Sequence, residues 1–253
     1  MSLIVYILAG LLAGVGIGLV GISAASIITP MLVALLGFNA YKAIGIALTA
    51  DVVAAILSSI IYFKNKNIDI KNGIVMMIST MFFTYIVSYF AKSIPNNLLG
   101  GISIYMTILL GIKFLVKPIT NAKGSSNISD KKRVLLSIFF GALVGIVCGT
   151  IGVGGGIMIL LVLTSFLGYD FKTAVGTSVF IMGFTALTGA AAHIIHGGTD
   201  IKALIICVIF AVLGSRVASR FANKTDTAKL NKVSGVFLIL FGVVLLGLKY
   251  MIH

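Results

Sequence analysis

The 253-residue chain is 59% hydrophobic and only 10% charged, with a mean hydropathy of +1.18. This composition excludes a soluble globular domain, whose surface carries far more charge, and the recurring apolar runs of about twenty residues predict a multi-pass membrane protein. The net charge of +13 does not predict nucleic-acid binding, because lysine and arginine lie between the apolar runs and at their ends, as in cytoplasmic loops. The expected neighbour of these loops is the lipid bilayer.

In chain order, the first half predicts five helical segments. A glycine-rich apolar segment at 3–21 meets a break at 22–26, and a short apolar segment follows at 26–37. Twelve helical residues span about 18 Å, which is too short to cross a bilayer core of roughly 30 Å. Three ordinary spans complete the half, at 43–63, 72–91 and 97–116.

The second half repeats this order after a polar linker. A shift of 131 positions aligns Gly10, Gly14, Gly18 and Gly21 with Gly141, Gly145, Gly149 and Gly152, and Asp69-Ile70-Lys71 with Asp200-Ile201-Lys202. The sequence therefore predicts an all-α membrane protein with a repeat at residues 1–116, a linker at 117–133 and a second repeat at 134–253. The segments of the second repeat are 134–151, a break at 153–156, a short helix at 157–168, and spans at 173–195, 202–221 and 231–250.

The distribution of basic residues distinguishes two topologies. If the chain turns back at each break, 15 basic residues lie on one side of the membrane and 4 on the other; if it continues through, the division is 11 against 8. The positive-inside rule favours the first topology. Five segments per half then make the repeats inverted, with about eight full spans, two short segments, a cytoplasmic linker and both termini outside.

Glycine clusters at the breaks predict an anion site. Gly154-Gly155-Gly156 opens the second short helix, and Ser23-Ala24-Ala25-Ser26 opens the first. Backbone N–H groups at a helix start lack intrahelical partners and lie at its positive end. Close helix packing is the alternative explanation of the glycines, and we prefer it for Gly10, Gly14 and Gly18. The predicted substrate-binding residues are Gly21, Ser23, Ala24, Ala25, Ser26, Thr49, Gly152, Gly154, Gly155, Gly156, Thr177 and Ser178.

Two alternatives remain open for the polar residues within the spans. The hydroxyls of Thr49, Thr177 and Ser178 either face a ligand or bond to a carbonyl one turn earlier. Asp51 is the only acidic residue well inside a predicted span, where an unpaired carboxylate costs about 2.5–3.5 kcal/mol. Inverted repeats with broken helices are typical of transporters, and we expect Asp51 to couple transport to an ion, H⁺ or Na⁺. The alternative is a protonated, hydrogen-bonded acid or a position nearer the interface.

No pattern predicts catalysis, a cofactor or a bound metal. Cys148 and Cys207 have no metal-type spacing, and His193 and His196 are too few for a metal site. The chain is therefore not expected to be an enzyme. Four tyrosines are expected to be interfacial anchors: Tyr62, Tyr85, Tyr89 and Tyr105.

The glycine pattern Gly141–Gly156, followed by Leu167-Gly168-Tyr169 and Ala174-Val175-Gly176-Thr177-Ser178, resembles the TauE/SafE sulfite exporter family, also called toluene-sulfonate uptake permeases. The resemblance covers nearly the whole chain. It implies secondary transport of small anions, chiefly sulfur oxyanions and organosulfonates, across the bacterial plasma membrane. The first repeat departs from the pattern, with "GISAAS" and "GIAL" in place of the glycine-rich and "GTS" motifs. A passive anion channel, or a transporter of a neutral or cationic small molecule, remains the alternative.

Overall fold

The computed structural model describes residues 2–90, 108–109, 112–116, 118, 129–151, 155–197 and 199–252. Within these ranges the regular structure is helical, with no strand, which confirms the predicted all-α class. Nine helices have defined ends in this part of the chain: α1 (Ser2–Val20), α2 (Ala25–Leu36), α3 (Ala40–Lys64), α4 (Ile70–Phe90), α5 (Asp130–Ile151), α6 (Gly156–Ser165), α7 (Phe171–Gly197), α8 (Ile201–Lys224) and α9 (Thr227–Ile252).

Six of these helices, α1, α3, α4, α7, α8 and α9, are long and apolar enough to cross a membrane. The predicted short helices are also present, since α2 has 12 residues and α6 has 10. Most of the predicted span 97–116 lies outside the described residues, although 112–116 are helical. The last four residues of the predicted linker, 130–133, form the first turn of α5.

The repeated Asp-Ile-Lys motif marks the start of a helix in each half. The carboxylate of Asp69 accepts a hydrogen bond from the backbone N–H of Asn72 at 3.1 Å, at the start of α4. Asp200 does the same for the N–H of Ala203 at 2.9 Å, at the start of α8. Each aspartate satisfies a backbone donor that the first helical turn leaves open, so local capping accounts for this part of the repeat.

Two glycine-lined helix pairs join the halves. On α1, a Cβ added to Gly10 would lie 2.7 Å from the carbonyl oxygen of Cys207 on α8. On α5, a Cβ added to Gly141 would lie 2.9 Å from the carbonyl oxygen of Met76 on α4. Gly141 lies 131 positions after Gly10, and Cys207 lies 131 positions after Met76, so the repeat relates the two contacts. The first helix of each half therefore packs on the fourth helix of the other half in the same register, and close packing of small residues is confirmed at these glycines.

Helices α3 and α7 form the centre of the described structure. They pack against each other, while α3 also contacts α8 and α7 also contacts α4. The short helix α2 packs on α3, and α6 packs on α7. Consequently both breaks lie beside the two central helices.

Several loops meet at one end of the bundle. The side-chain amide of Asn67, after α3, donates to the side-chain oxygen of Asn223, near the end of α8, at 2.6 Å. Lys172, at the start of α7, donates to the carbonyl oxygen of Asn223 at 3.0 Å. Lys71 and Asp130 form a 3.4 Å ion pair between the starts of α4 and α5. We call this region the Asn67–Asn223 end.

Candidate functional site

The two breaks touch each other through their backbones. A Cβ added to Gly156, the first residue of α6, would overlap the carbonyl oxygen of Gly21, which follows α1, and would lie 2.7 Å from the Sδ of Met182. Gly21 has a φ of +70°, a left-handed conformation that glycine adopts readily. A Cβ there would lie 2.5 Å from the Oγ of Ser178 on α7. Glycine is therefore required sterically at both sides of this contact.

The first break is filled by Asp51. Its side chain on α3 is completely buried. The hydroxyl of Ser23 donates to one carboxylate oxygen, and the backbone N–H of Ala24 donates to the other. The Ser23 oxygen in turn accepts from the N–H of Ala25 at 3.2 Å. Asp51 thus supplies, from another helix, acceptor oxygens for donors at the start of α2.

The second break has no equivalent carboxylate among the described residues. Gly155, with a φ of +63°, precedes α6 and has no side chain that could cap the helix. The repeat aligns Asp51 with Met182, whose sulfur lies beside Gly156. Cys148 on α5 lies against Gly155, where it would overlap an added Cβ. Gly152 and Gly154, both predicted site residues, lie outside the described residues.

The hydroxyl side chains that were predicted to bind substrate do not all lie at the breaks. The Thr49 hydroxyl donates to the carbonyl of Gly45 at 2.8 Å, and Ser178 donates to that of Val175 at 2.9 Å, as the back-bonding alternative expects. Ser178 nevertheless borders the breaks through Gly21. Thr177 accepts from the backbone N–H of Asp69 at 3.0 Å, so its hydroxyl is directed to the loop before α4. In the first break, Ser26 is partly exposed.

A polar network at the Asn67–Asn223 end was not predicted from the sequence. The phenol of Tyr169, before α7, donates to the carboxylate of Asp69 at 2.5 Å, and the side chain of Asn72 donates to it at 2.7 Å. The guanidinium of Arg133 lies 5.6 Å from the centre of the Tyr169 ring. This network joins residues of the first half to residues of the second.

Charge and burial act in opposite directions on the pKa of Asp69. Burial raises this pKa, but the hydrogen bonds from Tyr169 and Asn72 and the charge of Arg133 outweigh it, so the pKa lies below its ordinary value. Burial, reinforced by the hydrogen bond to Asp69, raises the pKa of the Tyr169 phenol. Asp69 is therefore held as a carboxylate and Tyr169 as a protonated phenol, which are the acceptor and the donor of this hydrogen bond.

One tyrosine that was predicted to lie at the membrane interface is instead buried. Tyr62 on α3 is completely buried and donates to the carbonyl oxygen of Gly18 at 2.8 Å. The prediction for Tyr62 is wrong, because this hydroxyl satisfies a carbonyl near the end of α1 that the break deprives of a helical partner. Tyr85 is 75% exposed, as expected of a membrane-facing side chain. The side chains of Tyr89 and Tyr105 lie outside the described residues.

Within the described residues, no group of three or more His, Cys, Asp or Glu side chains could hold a metal ion. The side chains of His193 and His196 are not described. Cys148 and Cys207 are both buried free thiols, and each packs within the helical core. Asp51 is the one acidic side chain that is fully buried among the described residues.

Comparison with known proteins identifies the family. The family model described as "Sulfite exporter TauE/SafE" matches residues 6–245. The chain belongs to the TauE/SafE family. Similar relatives include the probable membrane transporter proteins YunE and YdhB of Bacillus subtilis, with 26% and 22% identity. The YunE match covers 96% of both chains, and the YdhB match covers 92% of this chain and 94% of YdhB.

A probable membrane transporter protein of Haemophilus influenzae is 27% identical across 88% of each chain. No solved structure gives a significant match. Family membership, together with the six long apolar helices, makes this chain a multi-pass membrane transporter.

The motifs of this TauE/SafE protein have defined structural roles. Gly156, at the end of the glycine cluster, permits contact between the breaks. Gly176 lets α7 approach the loop after α3, because a Cβ there would overlap the carbonyl of Asn67 and lie 2.9 Å from Tyr62. Ser178 lies against Gly21. These motifs therefore determine how α7 packs between the first break and the Asn67–Asn223 end.

Proposed function

We propose that this TauE/SafE protein is a secondary transporter of a small anion, a sulfur oxyanion or an organosulfonate, in the bacterial plasma membrane. The observation that carries this proposal is the backbone contact between Gly21 and Gly156 at the start of α6. Backbone N–H groups at a helix start attract anions, and glycine lets a ligand approach them closely. The proposed site lies where the two breaks meet.

We further propose an inverted repeat of about eight full spans and two short segments, with both termini outside and the linker in the cytoplasm. The matched contacts of Gly10 and Gly141 support two structurally equivalent halves. The bond between Asn67 and Asn223 supports a chain that turns back at each break, since a chain continuing through would leave these loops on opposite sides. The excess of basic residues supports assigning the Asn67–Asn223 end to the cytoplasm.

Alternating access requires contacts between the halves that break and re-form. The network of Asp69 and Tyr169 is suited to this role because it joins the halves at one end through hydrogen bonds. Breaking it would open the Asn67–Asn223 end without separating the glycine-packed helix pairs. We propose that this network is closed in one state of the transport cycle and open in another.

Asp51 is the proposed coupling residue for H⁺ or Na⁺. A completely buried carboxylate at membrane depth costs free energy, so its presence there indicates a functional role. Its direct contact with the first break lets a change of charge alter the geometry of that break. Transport driven by an ion gradient should therefore be lost in Asp51→Asn, while exchange of substrate across the membrane should continue.

The proposal is tested first by ligand-dependent thermal stability. Purified protein would be heated with sulfite, thiosulfate, sulfoacetate, taurine, sulfate, chloride or Na⁺, since a ligand of the folded state raises the melting temperature. Gly155→Leu should abolish the shift. Gly37→Leu is the matched control, because Gly37 has a similar φ of +67° but open space around its Cβ position.

A shift with a sulfur anion that survives in Gly37→Leu and disappears in Gly155→Leu would support the site. A shift with only a neutral compound or a cation would refute the anion assignment. The ligand found would then be used in proteoliposomes to separate a transporter from a channel. Unlabelled ligand inside should accelerate uptake of labelled ligand if access alternates, whereas a passive channel would show no such acceleration.

A further inference from the structure

The two breaks are equivalent by sequence repeat but not by chemistry. Asp51 contacts the start of α2, whereas its repeat counterpart Met182 contacts the start of α6. A carboxylate is an anion with two acceptor oxygens, and a thioether is neutral and a weak acceptor. One break therefore already holds an anion that belongs to the chain itself.

The groups around Asp51 are donors. The Ser23 hydroxyl and the Ala24 N–H each donate to the carboxylate, and the Ser23 oxygen is itself occupied by the N–H of Ala25. The first break therefore surrounds a carboxylate with hydrogen-bond donors.

We propose that Asp51 is a built-in anion that fills the first break and thereby confines the transported anion to the second break, at α6. This proposal rests on the proposed function in one respect: the ligand that Asp51 keeps out of the first break is taken to be the transported anion. Asp51 is then the residue that determines how many anions the paired breaks accept. With Asp51 in place the chain accepts one, and without it the donors of Ser23 and Ala24 are free for a second.

Removal of the side chain tests this directly. Asp51→Gly leaves a buried space of carboxylate size lined by the same donors, so formate should enter it. We expect the variant to melt below the wild type and to recover with formate in a saturable way. The rise should be roughly 5–10 °C at a formate concentration about 100 times the dissociation constant. Formamide, a neutral molecule of the same shape, should give no comparable rise.

Two controls separate this role from a general effect of losing an aspartate. The wild type should show no formate-dependent rise of this kind, because its own carboxylate occupies the donors. Asp200→Gly removes an exposed aspartate that also accepts from the N–H of a helix start. Formate should not restore that variant, since water already reaches its donor.

Asp51→Ser, which keeps a small polar side chain, is the milder variant if Asp51→Gly does not fold, and the same formate response is expected. If either variant folds and formate stabilises it no more than it stabilises the wild type or Asp200→Gly, the proposal is overturned. Equal rescue by formamide would also overturn it, because the site would then not require an anion. Rescue by formate alone, with no shift of the wild type by any sulfur anion, would support the built-in anion while refuting the proposed substrate class.

Discussion

Replacement of Gly156 by alanine should push the two breaks apart. The added Cβ would overlap the backbone carbonyl of Gly21 and lie 2.7 Å from the sulfur of Met182. The methionine side chain can move, because it has several rotatable bonds. The carbonyl cannot move freely, since Gly21 has little space around it: a Cβ added there would lie 2.5 Å from the Oγ of Ser178. The strain therefore falls on the contact between the breaks.

The magnitude follows from two opposing effects. Alanine is favoured over glycine inside a helix by about 1 kcal/mol, while an extra carbon in a packed site costs about 1–3 kcal/mol. Because the overlap involves backbone, we expect the upper end of that cost and a net loss of about 1–2 kcal/mol. For a chain of this size the melting temperature should fall by roughly 2–8 °C.

Thermal unfolding in lipid nanodiscs, followed by circular dichroism, measures this effect, because the chain contains no tryptophan to report by fluorescence. Gly247→Ala is the matched control, since that helical glycine has open space around its Cβ position. The anion-dependent shift should also weaken in Gly156→Ala and not in Gly247→Ala. Equal melting temperatures and equal anion responses for the two variants would refute the reasoning that the breaks meet at Gly156.

Three further predictions concern the contacts that surround the breaks. Gly14→Ala and Gly145→Ala should both lower the melting temperature, because each added Cβ would collide with the backbone of the helix packed against it; a loss confined to one of them would contradict the equivalence of the halves. Tyr62→Phe leaves a buried carbonyl of α1 without its partner, so thermal unfolding should show a loss of about 1–3 kcal/mol, and unchanged stability would show that this hydrogen bond contributes nothing. Tyr169→Phe removes a hydrogen-bond donor from Asp69, whose pKa lies below its ordinary value. The bond therefore stabilises the fold at pH values above the ordinary pKa of the carboxyl group. This stabilisation is lost as the pH falls through the lowered pKa. Melting curves should therefore show a loss of about 1 kcal/mol at pH 7 that shrinks below about pH 4, whereas a loss independent of pH would exclude the carboxylate as its cause.

The sequence by itself determined the helices and their order. Apolar length distinguishes the long helices from α2 and α6, because a bilayer requires about twenty residues to cross it. Glycines and capping residues set the ends, as at Gly21 and Asp69, because these effects act within a few residues. The register of 131 positions was also visible, since the same packing glycines recur at Gly10 and Gly141.

Only the tertiary structure decided which polar groups meet. Ser23 and Asp51 are 28 positions apart, Tyr62 and Gly18 are 44 apart, and Tyr169 and Asp69 are 100 apart. In a soluble protein the apolar face of a helix indicates its interior side, but lipid is as apolar as a protein core. Hydropathy therefore could not show which way each helix turns, and the rotation of α3 alone placed both Asp51 and Tyr62 inside.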